Sequence, residues 1–285
     1  MKKIFSIIGF ATLVCLSFIY TERAANLANS KDELMMKIKQ LSSKYEIKSV
    51  DAIIDNDTFI PGINGTKVDC NKSYRAMKKY GVFNESLLEY KQIKPNDIIA
   101  DNYDKYIISG NPEKNMVSLI IFVDSNTSIE NIMKIADEKK IKLNLFVDST
   151  WFKENNHLIE KYISNGHIIG NLSYNLDYND GAYIYMDTII KKIGKQKIGY
   201  CYANDENIQN LKICSMNKNY TIKPDLLIKD NYLTNIKSNL KSGSIISLKL
   251  NDNLNKELLV IINYINSKGF SIVNLDKLLN ENRSL

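Results

Sequence analysis

The distribution of apolar residues along the chain predicts mainly parallel β/α structure. From Met116 onward, short continuous apolar runs such as "MVSLIIFV" and "IKLNLFV" alternate with segments whose apolar residues recur every three to four positions. A strand buried on both faces gives a continuous apolar run, and an amphipathic helix gives the longer period. Their alternation predicts parallel β/α units, and the chain holds enough of these units for a barrel.

Glycine residues help to fix the ends of these predicted helices. Helices are predicted over "IENIMKIADEKK", over "WFKENNHLIEKYISNG" ending at Gly166, and over "NKELLVIINYINSKG" ending at Gly269. Glycine is common at such ends because it adopts the left-handed conformation that closes a helix. Strands are predicted at "HIIGNL", residues 198–202, residues 226–228, "GSIISLKL" and "FSIVNL", and a last short helix at "DKLLNENR". The remainder of residues 178–240 shows no clear period.

The residues before this region predict a small α+β module over residues 30–112. Apolar positions from Leu34 to Tyr45 follow helical spacing within residues 30–49, and residues 61–65 contain Pro-Gly and Asn-Gly turn pairs. A short helix near residues 72–80 and an extended segment near residues 87–93 follow. Asn111-Pro112 marks the boundary with a second domain, residues 113–285. Asp51, Asp55 and Asp57 lack the glycine and glutamate of a calcium loop, which favours solvated turn carboxylates.

The first 25 residues have the layout of a secretory signal. Residues 4–20 form an unbroken run of apolar and small residues after Lys2 and Lys3. Arg23 stands where cleavage after Ala25 would need a small residue, so we predict a single-pass signal anchor in the cell membrane, with the rest of the chain extracytoplasmic. A cleaved signal peptide, and hence secretion, is the alternative. The apolar run continues past Cys15, which argues against a lipid anchor there.

Composition and charge exclude several classes of protein. The chain has 285 residues, of which 44% are hydrophobic and 25% charged, which is enough for a sizeable core. The net charge is +6. Lys and Arg are scattered and no nucleic-acid motif accompanies them, so we predict no nucleic-acid partner. Of the four cysteines, Cys201 and Cys214 have a spacing that allows a bridge, but we favour small buried hydrophobic residues.

Six segments, taken in order, resemble a known family. They are "VSLIIFVDS", "IKLNLFVDSTWFKEN", "IEKYISNGHIIGNLSYN", "IGYCYAN", "SGSIISLKL" and "INSKGFSIVNLDKLL". This order resembles the NodB-homology polysaccharide deacetylases, carbohydrate esterase family 4, over residues 116–279. The segments "IPGING" and "KSYRAMKKYGVFNESLL" are similar to the sporulation-associated, membrane-anchored branch of that family. The resemblance implies a distorted (β/α) barrel of the NodB type behind an N-terminal membrane helix and a small α+β module.

The resemblance also implies a metal-dependent active site. In the family, one Asp and two His four residues apart hold a divalent metal, usually zinc, which polarises the substrate acetamide. A second Asp, oriented by an arginine, accepts the proton of the attacking water, and a histidine from a late strand protonates the leaving amine.

In this chain, the positions that correspond to those roles hold other residues. The paired aspartates fall on Phe122 and Val123, with Asp124 one place beyond, and the metal histidines fall on Leu172 and Leu176. Leucine has no lone pair to donate, and a lysine is a poor acid catalyst at pH 7. We therefore predict no catalytic residue, no metal and no cofactor, with zinc only if a site is rebuilt. The arginine position falls on Gly199 and the late histidine position on Lys249.

These residues and their neighbours define a predicted vestigial pocket filled by apolar side chains. Neither of the two histidines, His157 and His167, is predicted to be a ligand, because one lies on a charged helix and the other precedes a strand. Tyr174, Tyr178, Tyr183 and Tyr185 follow the former histidine loop, where exposed rings would stack on sugars, although half-buried packing is the favoured interpretation. The predicted pocket comprises Phe122, Val123, Asp124, Asn171, Leu172, Ser173, Asn175, Leu176, Gly199, Tyr202 and Lys249.

The predicted function is that of a catalytically inactive deacetylase-like protein of the cell envelope. Its predicted partners are cell-wall glycan or an envelope protein, in a binding role or as a scaffold in envelope or spore assembly, together with the membrane through residues 4–20. One alternative is an active metal-dependent N-deacetylase of peptidoglycan or chitin-like polymers, a hydrolase of carbon–nitrogen bonds. Another is a protein-partner module that uses the helix within residues 30–49.

Overall fold

The computed structural model describes residues 8, 10–21, 31–124, 128–179 and 181–283. These residues divide into two compact units, one drawn from residues 1–49, 64–94 and 282–285, the other from residues 50–63 and 95–281. The strands are β1 (Ile53–Asp55), β2 (Thr58–Ile60), β3 (Gly65–Val68), β4 (Tyr90–Ile93), β5 (Tyr106–Ile107), β6 (Met116–Val123), β7 (Asn144–Val147), β8 (Ile168–Asn171), β9 (Gly199–Tyr202), β10 (Asn219–Ile222), β11 (Leu226–Ile228), β12 (Ile245–Lys249) and β13 (Ser271–Ile272). The helices after residue 31 are α1 (Glu33–Ser42), α2 (Cys70–Met77), α3 (Glu130–Glu138), α4 (Ser149–Asn155), α5 (Ile159–Ser164), α6 (Gly181–Lys192), α7 (Ile208–Met216), α8 (Tyr232–Asn239), α9 (Asp252–Ser267) and α10 (Leu275–Leu279).

The first unit packs α1 and α2 around a small apolar core and carries the antiparallel pair β3–β4. Asp32 caps α1 by accepting hydrogen bonds from the backbone N–H groups of Leu34 and Met35. Its other carboxylate oxygen accepts a hydrogen bond of 3.0 Å from the Tyr74 hydroxyl on α2. Asp32 therefore links the start of α1 to α2 through hydrogen bonds, in addition to the apolar core that the two helices share.

The predicted membrane anchor is wrong. Residues 10–21 are helical, but no helix among the described residues combines the length and the apolar character that crossing a membrane requires. This finding overturns both the predicted membrane helix and the predicted location as a single-pass signal anchor. Lys2, Lys3 and the cleavage position after Ala25 lie outside the described residues.

The second unit is built on one long, curled sheet. The strand order is β1-β2-β5-β10-β9-β8-β7-β6-β12-β11, with β13 pairing to β6 beside this path. All neighbouring strands in the sheet run parallel, except β1 and β2. Within the described residues β11 pairs only with β12, and β1 only with β2, so the sheet is an open half-barrel. The α/β class is confirmed, and the barrel is open.

Alternate residues of each strand enter two different cores. On β6, Val117, Leu119, Ile121 and Val123 face the helices, where they join apolar residues of α3, α4, α5 and α9. Ile120 and Phe122, between them, face the concave side with residues of β7 to β10 and of α10. This division follows from the two-residue period of a strand, and it decides which residues reach the concave face.

Residues 178–240 contain elements that the sequence pattern does not reveal. They include α6, α7, α8 and β10. Helix α7 buries only Leu211 and Cys214, so its apolar stripe is too narrow to produce a clear helical period. In β10 the polar residues Asn219 and Thr221 are buried, which hides the apolar run expected of a central strand.

Cys201 and Cys214 form a disulfide, contrary to the interpretation of both as free buried residues. Their Cα atoms are 6.4 Å apart, and the bridge joins β9 to α7 across 13 positions of sequence. Both side chains are fully buried beside Tyr178 and Tyr183. The sequence spacing allowed this bridge, but the packing of α7 against β10, the neighbour of β9, is not visible in the sequence.

His167 has a packing role and makes the stability depend on pH. Its Nδ1 accepts a hydrogen bond of 3.1 Å from the backbone N–H of Leu143, and its side chain is fully buried. Burial lowers the pKa of His167, as does the positive charge of Lys142, and both outweigh the attraction of Asp137, whose Oδ1 lies 3.8 Å from Nε2. The folded protein therefore keeps this imidazole neutral at pH values where the unfolded chain protonates it.

We expect the free energy of unfolding to fall as the pH drops below about 6.5, by up to about 1.4 kcal/mol per pH unit, until the folded pKa is reached. The sign follows because a lowered folded pKa means that the unfolded state binds more protons in this window. Urea unfolding at pH 7.5, 6.5 and 5.5 measures the effect. His167→Gln should remove this part of the pH dependence, while His157→Gln, which changes an exposed histidine, should retain it. An equal pH dependence in His167→Gln would contradict the assignment.

Candidate functional site

A cleft of about 220 Å³ lies at the carboxyl ends of β6, β9 and β12. Parallel strands end at one edge of the sheet, which is where ligands of open α/β sheets generally bind. Phe122 and Tyr202 provide aromatic walls, and Asp124 and Lys249 provide the charges. The remaining lining residues are Asn204, Leu227, Ile228, Lys229 and Ser247.

An ion pair joins two of the predicted pocket residues inside the cleft. The Nζ of Lys249 lies 2.9 Å from Oδ2 of Asp124. Lys249 is the register partner of Phe122 in the β6–β12 pair, and Asp124 lies two residues after Phe122, immediately beyond the end of β6. Both side chains are partly exposed, so the pair adds at most about 1 kcal/mol of stability. The ion pair has a larger effect on metal binding, because the ammonium group of Lys249 would repel a dication placed beside Asp124.

The two leucines at the former histidine positions lie in different surroundings. Leu172 is 1% exposed and belongs to the apolar cluster of the concave face, with Phe146 and Tyr202 among its members. Leu176 packs against the same cluster but stays partly exposed and lines a neighbouring pocket. Full burial of a leucine side chain stabilises the folded state by roughly 1.5–3 kcal/mol. The folded protein is therefore stabilised by an apolar side chain at residue 172.

The loop after β8 uses its polar groups internally. Asn171 donates a hydrogen bond to the carbonyl of Tyr183 and accepts one of 2.8 Å from the backbone N–H of Ser173. The hydroxyl of Ser173 donates to the carbonyl of Asp177 at 2.6 Å. Asn171 and Ser173 are buried by these contacts and do not line the cleft. Asn175 is exposed and, like Leu176, borders the neighbouring pocket.

The four tyrosines after this loop fall into two groups. Tyr178 and Tyr183 are buried with their rings in edge contact, and Tyr174 and Tyr185 are about half exposed. The hydroxyl of Tyr178 donates to the carbonyl of Asn171 at 2.7 Å and accepts a hydrogen bond from the backbone N–H of Tyr202. Tyr178 therefore connects the loop after β8 to the end of β9.

Tyr202 is the central aromatic residue of the cleft. Its ring contacts Phe122 and Phe146 edge-on, with centroids 5.0 and 5.6 Å away, and its hydroxyl donates to Oγ of Ser247 at 2.8 Å. Burial raises the pKa of Tyr202, so the phenol stays protonated at neutral pH. The ring is therefore held rigidly by apolar and polar contacts together.

Two further family positions lie away from the cleft. Val123 is fully buried on the helix-facing side of β6. A Cβ atom on Gly199 would lie 2.2 Å from Oδ1 of Asn219, which leaves no room for an arginine. Asn219 is fixed in turn by hydrogen bonds to Tyr183 and Asp187.

The residues of the cleft do not fit a zinc ion. A catalytic zinc site needs three protein ligands with nitrogen, sulfur or carboxylate donors. Among the described residues, no group of three His, Cys, Asp or Glu side chains converges anywhere. Within the cleft Asp124 is the single carboxylate, and it is paired with Lys249.

Sequence reasoning missed several lining residues of the cleft. Ser247 shares its face of β12 with Lys249, so the two-residue period of "ISLKL" is the signal that would have found it. Asn204 ends the quoted segment "IGYCYAN" but holds no predicted role there, and Leu227, Ile228 and Lys229 come from a segment with no motif. Only the strand order brings these four residues together.

Comparison with known sequences gives one partial match. No protein-family model matches the chain. The uncharacterized protein YlxY of Bacillus subtilis is 38% identical over 148 residues, which cover 51% of this chain and 46% of YlxY. The match thus spans less than half the length of that relative.

Comparison with solved structures gives longer matches. A mutant of BA3943, described as a CE4 family pseudoenzyme with restored enzymatic activity, matches with a TM-score of 0.66 and 25% identity over 89% of this chain and 100% of its own. Wild-type BA3943 from Bacillus anthracis, a CE4 family pseudoenzyme, matches with a TM-score of 0.66 and 24% identity over 89% of this chain and 97% of its own. PdaA of Bacillus subtilis, a family 4 carbohydrate esterase, has a TM-score of 0.53 and 19% identity, covering 63% of this chain and 86% of PdaA, which shows the fold alone. The resemblance to the sporulation-associated branch stays a prediction.

Proposed function

We propose that the chain is a degenerate member of the polysaccharide deacetylase family, carbohydrate esterase family 4, and that it binds cell-wall glycan in its cleft without hydrolysing it. The observation that carries this proposal is the ion pair between Lys249 and Asp124, 2.9 Å apart at the ends of β12 and β6. Hydrolysis of an acetamide by this family's chemistry needs a Lewis acid and a positioned proton acceptor. Here the one carboxylate of the cleft is engaged by an ammonium group.

The remaining cleft has the composition of a sugar-binding site. Binding pockets combine apolar and aromatic walls with a few polar groups that fix orientation. The rings of Phe122 and Tyr202 offer apolar surface against which a sugar face packs, and Asn204 and Ser247 offer groups that hydrogen-bond hydroxyls. The loss of the metal ligands leaves this surface in place, so binding is the function that the cleft supports best.

The BA3943 mutant is a CE4 family pseudoenzyme of this fold in which enzymatic activity was restored. In that protein the fold is therefore present both with and without catalysis. That precedent supports the proposal that the scaffold can persist after the catalytic residues have changed. The positions at which the family has its active-site residues differ in exposure in this chain. Lys249 and Leu176 border pockets, whereas Leu172 and Val123 are buried.

The proposal predicts binding without turnover. We expect the purified protein, with added Zn²⁺, to release no acetate from acetylated chito-oligosaccharides or peptidoglycan, and to bind chito-oligosaccharides in calorimetry. Phe122→Leu should weaken that binding about fivefold, because an aromatic contact contributes roughly 1 kcal/mol beyond its area. Tyr80→Ala, which removes an exposed aromatic ring from the other unit, is the matched control and should leave the affinity unchanged.

Two results would favour the other predicted functions. Acetate release with stoichiometric zinc, lost in Asp124→Asn, would establish an active deacetylase and overturn the proposal. Absence of glycan binding, together with cross-linking of residues 30–49 to an envelope protein, would favour the protein-partner or scaffolding role.

A further inference from the structure

A second pocket of about 290 Å³ adjoins the cleft. The two share Tyr202 and Asn204 as lining residues, so they are neighbours at the carboxyl ends of the strands. The second pocket, here called the polar pocket, is lined by segments that follow β8 and β9 and by side chains of β5 and β10. None of its residues except Tyr202, Asn175 and Leu176 belongs to the predicted vestigial site.

Two buried hydroxyl groups in the polar pocket are not fully hydrogen-bonded. Within the described part of the chain, Oγ1 of Thr221 accepts and donates no hydrogen bond. The hydroxyl of Tyr106 donates none, and the backbone N–H of Asn207 is the one described donor that approaches it. Burial raises the pKa of Tyr106, and this N–H lowers it by a smaller amount. The two residues are 1% and 2% exposed, and they are register partners on the parallel strands β5 and β10. Buried hydroxyls are nearly always hydrogen-bonded in native proteins, so the unpartnered Oγ1 of Thr221 and the unused donor of Tyr106 leave hydrogen-bonding capacity that a ligand in this pocket would complete.

The mouth of the polar pocket carries free amide and carboxylate groups. The side chains of Asn175, Asn204 and Asp205 are exposed and make no hydrogen bond to the rest of the described chain. Amides and hydroxyls both donate and accept, which matches a ligand that presents hydroxyl groups. One carboxylate is too few for a Ca²⁺ or Mg²⁺ site, and it disfavours an anion. The chemistry therefore selects a neutral, hydroxyl-rich ligand.

The wall of the polar pocket is held in place before any ligand arrives. The disulfide between Cys201 and Cys214 closes the segment that contains Asn204 and Asp205. Asn210, on α7, donates a hydrogen bond of 2.9 Å to the carbonyl of Leu176 and so ties that segment to the loop after β8. A preformed pocket binds with less loss of conformational entropy.

We propose that the polar pocket binds a second neutral sugar residue of the glycan chain whose neighbouring residue lies in the cleft, with Tyr106 and Thr221 as its buried hydrogen-bonding groups. This inference rests on the proposed function and extends it, since it assigns a second subsite and the residues that make it. It also requires an uncharged sugar at that position.

The test uses Thr221→Val in the full chain, which removes one buried hydroxyl and keeps the side-chain shape. Calorimetry with N-acetylglucosamine, its dimer and its tetramer should show tetramer affinity lowered five- to tenfold, since one hydrogen bond is lost. The Tm of the free variant should be equal or higher, because an unpaired buried hydroxyl has been removed. Thr234→Val, at an exposed position on α8, is the matched control and should change neither quantity.

The outcomes separate this inference from the proposed function. If Phe122→Leu weakens tetramer binding and Thr221→Val does not, the polar pocket is not a subsite and the cleft proposal stands. If Thr221→Val weakens binding and Phe122→Leu does not, the polar pocket binds sugar and the cleft assignment fails. A lower Tm with unchanged affinity in Thr221→Val would mean that water serves the hydroxyl, which overturns the inference.

Discussion

Leu172→His is expected to lower the free energy of unfolding by about 3 kcal/mol and to create no zinc site, although it restores a residue of the family's metal-binding motif. The position is 1% exposed and lies in the apolar cluster of the concave face. The substitution removes apolar contacts and buries an imidazole among side chains that offer it few hydrogen-bond partners. Both effects destabilise the folded state in the same direction.

Urea unfolding of the variant with and without Zn²⁺ measures this effect. Leu172→Met, which keeps the volume and the apolar character, should cost less than about 1.5 kcal/mol. Leu176→His should be tolerated better, because residue 176 is partly exposed and has φ of 62°, a left-handed conformation in which histidine is more frequent than leucine. A stabilisation of Leu172→His by Zn²⁺ beyond that of wild type would show that the former site remains able to hold a metal.

This result would support the proposal that the packing around residue 172 is incompatible with the metal site that the resemblance implies. In an enzyme of the family, as the resemblance implies, the histidine at this position binds a metal that other side chains also hold. Here Leu172 is supported by its apolar neighbours, and Asp124 by Lys249. Leu172→His alone therefore loses the apolar contacts of Leu172 without gaining metal coordination. The present apolar residues and a metal-binding set of residues cannot be exchanged one residue at a time.

The features that were predictable from the sequence are the local ones. The apolar runs of β6 and β7 and the helix that ends before Gly269 follow from period and capping, and the structure has each of them. The absence of donor atoms at residues 172 and 176 also follows from residue type alone. In contrast, α7 and β10 are hidden because polar residues occupy buried positions there, so their patterns resemble those of loops.

The features that were not predictable depend on register between distant segments. Asp124 and Lys249 meet because β6 and β12 are neighbours in this register, which neither segment specifies by itself. Thr221 faces Tyr106 for the same reason, through the pairing of β10 with β5. The first apolar segment shows the converse error, since its composition indicated a membrane span that its described helix does not provide.

Removing the disulfide with Cys201→Ala/Cys214→Ala is expected to lower the free energy of unfolding by about 3 kcal/mol, the typical value for a loop of this length. The bridge closes a segment of 13 positions, and in the variant that segment regains freedom in the unfolded chain. Alanine avoids the buried hydroxyls that serine would introduce beside Tyr178 and Tyr183. Cys70→Ala, which changes a free cysteine in the other unit, is the matched control.

The same double variant links stability to binding. Asn204 and Asp205 lie within the segment that the bridge closes, and both line the polar pocket. Without the bridge, that wall must be ordered when the ligand binds, so tetramer affinity should fall while the contribution of Phe122 to that affinity, measured by Phe122→Leu, is retained. An unaltered affinity in the double variant would mean that the wall of the polar pocket is held by the hydrogen bonds of α7 alone, and that the disulfide serves stability only.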